Sequence, residues 1–254
     1  MPGVTARAAL VTGAGRGIGA ATAMALAARG DQVLAVARTE HELSSLAEAA
    51  PVDYLVGDVS SAGGCARIAQ EALTRLGQVD VLINNAGMDP GEPPIWAHQT
   101  ASWRQMMAVN LDAPFELTRL LAEGMKLRGW GRIVMVSSTA GIVGGASMAA
   151  YCASKHGLLG LMRSAARDLA PFGVTCNAVA PGWVRTRMSD ATADREARQR
   201  GIPVEQVWDE RVRSYAAGRV VDAAEVASVI AFLSSEQAAA VNGEAVSVSL
   251  GEMW

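Results

Sequence analysis

The chain has 254 residues, half of them apolar, and a net charge of −3. That length suffices for a substantial core, while the weak acidity and the scattered arginines argue against a nucleic-acid footprint. The odd, widely spaced set Cys65, Cys152 and Cys176 lacks C-x-x-C, which excludes a disulfide framework and suits a reducing compartment.

No uninterrupted apolar run approaches the length of a membrane span, and residues 1–7 hold no signal-peptide core, so a soluble, cytoplasmic protein is expected. The first apolar run, Ala8-Ala9-Leu10-Val11, reads as a buried strand. It leads into Thr12-Gly13-Ala14-Gly15-Arg16-Gly17-Ile18-Gly19 and then an Ala/Met/Leu-rich helix to about Arg29. Glycines here permit a tight turn and a close backbone approach to a pyrophosphate, whose charge meets the free N–H groups of the helix N-terminus. The spacing is not G-x-G-x-x-G, and no Gly-Lys-Ser/Thr follows, which speaks against a nucleoside-triphosphate loop.

The second strand, 32–37, ends in Ala37-Arg38. NAD enzymes of this architecture place a carboxylate at that strand end, where it binds the ribose hydroxyls and repels a 2′-phosphate. Its absence, with the planar fork of Arg38 and with Arg16 in the glycine turn, predicts a preference for NADP(H), with NAD(H) possible. Glu40 stands close enough in sequence to offset some of that positive charge. Thr39-x-x-Glu42 has a capping-box pattern at the start of the next helix.

Further apolar runs at 54–56, 79–83, 131–136, 174–179 and 245–248 alternate with helix-length segments at about 62–76, 102–127, 151–170 and 222–233. The last helix opens on a second capping box, Asp222-x-x-Glu225. Continuous apolar strands between helices indicate a doubly wound, Rossmann-type α/β fold, a parallel sheet covered on both faces. No linker, repeat or low-complexity tract divides the chain, so a single domain over 1–254 is expected. Ligands of such sheets bind at the carboxyl ends of the strands. The stretch 183–219 breaks the alternation and reads as a lid over substrate. Its arginines 185, 187, 195, 198 and 200 interleave with Asp190, Asp194 and Glu196, the pattern of a solvated helix.

Tyr151-Cys152-Ala153-Ser154-Lys155 places a phenol and an ammonium group four residues apart, on one face of a helix. A cation beside a tyrosine favours the phenolate and lowers its pKa toward neutrality, making an acid-base pair. Cys152 turns to another face, where packing is its expected role. His41, His98 and His156 have no metal-ligand spacing and no evident partner, and no metal site is expected.

Thr12-Gly13-x-x-x-Gly17-x-Gly19, Asp58-Val59, Asn84-Asn85-Ala86-Gly87, Asn110, Ser138, Tyr151-x-x-x-Lys155 and Pro181-Gly182 occur in sequence order over essentially the whole chain. In this set the chain resembles the single-domain branch of the short-chain dehydrogenase/reductase family, nearest to 3-oxoacyl and polyketide-type ketoreductases. The resemblance implies hydride transfer between a nicotinamide cofactor and a ketone or secondary alcohol, without metal. Tyr151 is then the proton donor in reduction and the base in oxidation. Ser138 binds the substrate oxygen, its spacing to Tyr151 selecting it over Ser137 and Thr139. Lys155 lowers the Tyr151 pKa and holds the nicotinamide ribose, and Asn110 binds a water leading to Lys155 through a local helix distortion.

The cofactor would lie on Gly13, Gly15, Arg16, Gly17, Ile18, Gly19, Arg38, Asp58, Val59, Asn85, Ala86, Gly87, Tyr151, Lys155, Pro181, Gly182 and Thr186. Within that set Asp58 takes the adenine amino group, Val59 packs on its ring, and Thr186 holds the carboxamide or a phosphate. Asn84 is expected to pin neighbouring strands through its side-chain amide. An apolar substrate pocket is expected from Met88, residues 140–143, Met148, Trp183, Met188 and Trp208. The family also implies a homotetramer packed through the helices near Ser102 and Tyr151. Ser249-Leu250-Gly251-Glu252 departs from the family's acidic residue followed by two glycines, which touches terminal packing and not chemistry. The rival readings are an NAD-dependent alcohol, hydroxysteroid or 3-hydroxyacyl dehydrogenase and, outside enzymes, a dinucleotide-binding regulator that has lost catalysis. Intact Ser138, Tyr151 and Lys155 argue against the regulator.

Overall fold

The computed structural model describes residues 6–252; most of the segment 1–7, read above for a signal peptide, lies outside them. The chain order is β1 (Ala8–Thr12), α1 (Gly17–Ala28), β2 (Gln32–Ala37), α2 (Glu40–Ala49), β3 (Val52–Val56), α3 (Ala62–Leu76) and β4 (Val81–Asn84). There follow α4 (Thr100–Met107), α5 (Ala113–Arg128), β5 (Gly131–Val136), α6 (Ala149–Leu169), β6 (Val174–Pro181), α7 (Arg187–Arg200), α8 (Val204–Ser214), α9 (Ala223–Leu233) and β7 (Ala245–Val248). The strands form one seven-stranded sheet, β3-β2-β1-β4-β5-β6-β7, and every pairing is parallel.

Alternate residues of each strand feed two cores, as the pleat requires. Leu10, Leu34, Leu82, Ile133 and Cys176 point to one face, under α3, α5 and α6. Ala9, Val11, Val33, Ile83 and Val134 point to the other, under α1 and α9. Burial on both faces explains why these strands read as unbroken apolar runs. The chain leaves β1 toward β2 and β3, then returns to place β4 on the other side of β1, so a crevice opens at the carboxyl ends of β1 and β4.

Three local differences from the sequence reading have physical reasons. The fourth strand starts at Val81 instead of 79, and the Asp80 carboxylate at its threshold takes the Ala8 N–H at 3.1 Å. The Thr39 capping box does not form, because Glu42 is drawn away to two arginines described below. The Asp222 box does form, with Glu225 accepting the Asp222 N–H at 2.9 Å. The helix expected over 102–127 is divided into α4 and α5 by a π-helical turn at Ala108–Asp112 that centres on Asn110, where a local distortion was expected. Leu250 stands at φ 51°, a left-handed conformation usual for glycine. Among the described residues no helix is long and apolar enough to cross a membrane.

Candidate active site

At the crevice, Thr12 ends β1 almost fully buried and ties it to β4. Its hydroxyl donates to Ile83 O at 3.2 Å and accepts the N–H groups of Asn85 and Ala86, each at 3.1 Å. The Asn85 amide donates back to Thr12 O and Gly13 O at 2.9 and 3.0 Å. Asn85, not Asn84, therefore pins the strands. Neighbouring strand residues point to opposite faces, and Asn84 faces the core, donating to the Thr118 hydroxyl at 3.3 Å.

This lattice leaves no room beside the turn. A Cβ on Gly13, whose φ is +64°, would stand 2.8 Å from the Ala86 Cα. Helix α1 begins at Gly17 with no side-chain cap at Arg16 and no acidic residue in its first turn. Its leading residues Gly17, Ile18 and Gly19 line the cleft, a fitting cradle for a pyrophosphate. The same cleft brings together Gly13, Gly15, Arg16, Arg38, Asp58, Val59, Asn85, Ala86, Gly87, Ser138, Tyr151, Lys155, Pro181, Gly182 and Thr186. Thr186 is engaged as the N-cap of α7, its N–H donating to the Ser189 hydroxyl at 2.9 Å. Asn110 lies behind the cleft wall.

Beyond the glycine turn, Ala37 and the exposed Arg38 end β2 as the sequence implies, but a carboxylate stands nearby. It belongs to Glu42, in the first turn of α2, and not to the exposed Glu40 invoked above. A Cβ on Gly15 would meet Glu42 Oε2 at 2.9 Å and the Ala37 Cβ at 3.3 Å. Glu42 Oε1 pairs with Arg16 at 2.5 Å and with Arg187, from the first turn of α7, at 3.2 Å.

The reacting groups converge at the other end. Ser138 follows β5 and lines the same cleft as Tyr151. Lys155, one turn after Tyr151, is buried and donates to Val136 O at 2.9 Å. Its Nζ lies 5.7 Å from the centre of the Tyr151 ring. Burial pulls the Lys155 pKa down to about 8. Burial also pushes the Tyr151 pKa up, the nearby Asp89 carboxylate adds to that shift, and Ser138 opposes it.

The phenol's pKa is therefore raised, chiefly by its own burial, where the spacing to Lys155 led to the expectation that it is lowered; Lys155 is turned to the Val136 carbonyl. A phenol placed here can give its proton to a developing alkoxide. Bound nicotinamide would supply the hydride, and the chain would supply a proton at Tyr151 Oη and a hydrogen-bond donor at Ser138 Oγ.

Asn110 clamps the site together. Its Oδ1 accepts the Met88 N–H at 2.9 Å, and its Nδ2 donates to Met88 O at 3.0 Å and to the Ser154 hydroxyl at 3.2 Å. The loop after β4 is thus tied to α6.

Met88, Met148, Trp183 and Met188 line the cleft, but residues 140–143 and Trp208 do not. Trp208 packs with Ala193, Ala197 and Val207 in a small core between α7 and α8. There it also stacks on Arg185, 4.7 Å from the ring centre. Segment 183–219 thus has an interior of its own, which its polar sequence concealed. Several of its arginines are not merely solvated. Arg187 reaches Glu42, and Arg195 approaches the Asp89 carboxylate at 3.8 Å. Tyr215, buried at the end of α8, accepts the Trp183 N–H at 2.6 Å and steadies the turn after β6. Glu42 and Tyr215 escaped the sequence reading; for Glu42 the signal was a capping-box acid one turn beyond an uncompensated Arg38.

A family model described as short chain dehydrogenase matches residues 7–197. The chain is 37% identical over 241 residues to a D-beta-hydroxybutyrate dehydrogenase of Cupriavidus necator, covering 92% of this chain and 93% of that protein. It is 38% identical over 255 residues to a monensin polyketide synthase putative ketoacyl reductase of Streptomyces virginiae, covering 97% of each. A solved structure of an actinorhodin polyketide ketoreductase variant with NADPH superposes with a TM-score of 0.92 at 36% identity, over 97% of this chain and 98% of that one. With strand order, glycine turn and the Ser138, Tyr151 and Lys155 cluster in agreement, the chain belongs to the short-chain dehydrogenase family and is an oxidoreductase acting on keto and CH–OH groups.

Proposed function

We propose that the protein reduces a ketone to a secondary alcohol with NADPH, and that its substrates are of the 3-oxoacyl or polyketide type. The observation that carries the reading is the convergence of Ser138, Tyr151 and Lys155 on one cleft, where a phenol can give its proton to the alkoxide that hydride transfer forms. A protonated phenol suits reduction, whereas oxidation needs the phenolate. Similarity to a protein named as a ketoacyl reductase supports the substrate class, and the apolar side chains of Met88, Met148, Trp183 and Met188 suit an acyl chain. Asn110 would hold the water that leads protons to Lys155, and 183–219 would close over substrate. The rival reading is oxidation of a hydroxyacyl substrate with NAD, which the dehydrogenase among the relatives favours.

The cofactor choice rests on the ribose end. Arg38, Arg16 and Arg187 outnumber Glu42, so a 2′-phosphate meets net positive charge, and Glu42 tempers the preference. The specificity constant should be higher with NADPH than with NADH across a panel of small, acyl-thioester and bulky ketones; the reverse order contradicts the proposal. Ala37→Asp should move preference toward NADH. Arg38→Ala should raise the NADPH KM and leave NADH nearly unchanged, and Glu42→Gln should widen the NADPH advantage.

A homotetramer in the cytoplasm completes the proposal. Trp103 on α4 and Phe115 and Leu127 on α5 are exposed apolar side chains, on a helix pair that would be covered by a second copy. Sedimentation at micromolar concentration should give the tetramer, and a stable monomer refutes it.

A further inference from the structure

Helix α6 carries Tyr151 in its first turn, yet it has no cap of its own. Met148 at the N-cap position makes no side-chain hydrogen bond, and Ser147 just before it stands at φ 55°. The leading N–H groups are met instead by a carboxylate from a distant loop. Glu92 Oε2 accepts the Ala150 N–H and Glu92 Oε1 the Tyr151 N–H, each at 2.7 Å. The Glu92 side chain is 2% exposed, and its remaining contact is with His98 Nε2 at 2.8 Å. The His98 imidazole is itself almost buried and packs edge-on against Trp103, 6.5 Å between ring centres.

A buried carboxylate is costly unless several donors face it, and a helix N-terminus favours a negative charge. Glu92 meets both conditions. The loop that bears it, Asp89-Pro90-Gly91-Glu92-Pro93-Pro94, is stiffened by three prolines, and the Gly91 N–H is taken by the Asp89 carboxylate at 3.0 Å. At the carbonyl of the same residue, Tyr151 O accepts the Ser154 hydroxyl at 2.8 Å, and Asn110 in turn donates to Ser154. The backbone of Tyr151 is thus gripped at its N–H by Glu92 and at its carbonyl by Ser154.

We propose that Glu92, oriented by His98, is a positioning residue for Tyr151: it fixes the first turn of α6 and so the place of the phenol relative to Ser138 and the substrate carbonyl. The inference rests on the reading of Tyr151 as proton donor. Glu92 is not among the residues that line the cleft and acts through the Tyr151 backbone.

The test is ketone reduction by Glu92→Ala, Glu92→Gln and His98→Ala, each also made with Tyr151→Phe. Because misplacement by about 1 Å costs on the order of 10²-fold, Glu92→Ala should lower kcat by at least about tenfold while the NADPH dissociation constant changes less than about twofold. Glu92→Gln keeps one carbonyl acceptor for the Tyr151 N–H, and it and His98→Ala should lose about threefold. With Tyr151→Phe in place there is no phenol to position, and the same substitutions should alter the residual rate by less than about twofold. A general structural role would instead weaken NADPH binding and cost as much in the Tyr151→Phe background. That result, or wild-type kcat in Glu92→Ala, overturns the proposal. If Glu92→Ala does not fold, Glu92→Gln and His98→Ala decide by the same comparison. Full activity in Tyr151→Phe alone would instead refute the reading of Tyr151.

Discussion

Tyr151→Phe is expected to lower turnover in ketone reduction by about 10²–10⁴-fold, the range of general acid catalysis, while NADPH still binds. Phenylalanine keeps the ring that lines the cleft and removes the hydroxyl that would give the proton. Initial rates with saturating NADPH, beside a fluorescence titration of cofactor, measure the two effects separately. Near-normal reduction by the purified variant would refute the assignment. Lys155→Arg should also be poor, because a guanidinium cannot place a compact donor in the slot against the Val136 carbonyl. In the unsubstituted enzyme kcat/KM for reduction should fall as pH rises through about 8, where the buried Lys155 loses its charge.

Gly19→Ala should be the most damaging substitution in the cofactor cradle. The added Cβ would run into the Gly13 carbonyl oxygen and the Asn85 amide, both held in the lattice that joins β1 to β4. Neither is the free end of a flexible side chain. We expect a stability loss of about 3 kcal/mol, the upper end of the overpacking range, because backbone and not side chain must yield. The NADPH dissociation constant should rise by at least about tenfold, equivalent to roughly 1.4 kcal/mol, since the turn would be displaced from the phosphates. Thermal unfolding and cofactor titration check both; wild-type values for both would contradict the close-packed turn.

The strands were readable because burial on both faces leaves continuous apolar runs, and the glycine turn because strand, glycines and helix follow one another directly. Tyr151 and Lys155 were readable for the same local reason: four residues on a helix bring two side chains to one face. What was not readable is set by contacts between distant segments. Glu42 looked like a capping residue from its own neighbours, and only the fold brings Arg16 and Arg187 to it. Glu92 precedes Tyr151 by 59 residues, and no periodicity links a proline-rich loop to a helix N-terminus. Trp208 was set in the substrate pocket because 183–219 reads as a polar excursion, whereas α7 and α8 pack a small core of their own. For Tyr151, spacing in sequence reports proximity to Lys155 but not that the phenol is buried, and its own burial is what raises its pKa.

The most direct test is isotope transfer. The purified protein is incubated with a 3-oxoacyl thioester and NADPH carrying deuterium at both C4 positions of the dihydronicotinamide, and the alcohol is analysed by mass spectrometry. The account predicts one deuterium on the carbinol carbon, with product formation collapsing in Tyr151→Phe. Absence of alcohol across the ketone panel, or alcohol formed without deuterium at that carbon, would contradict it.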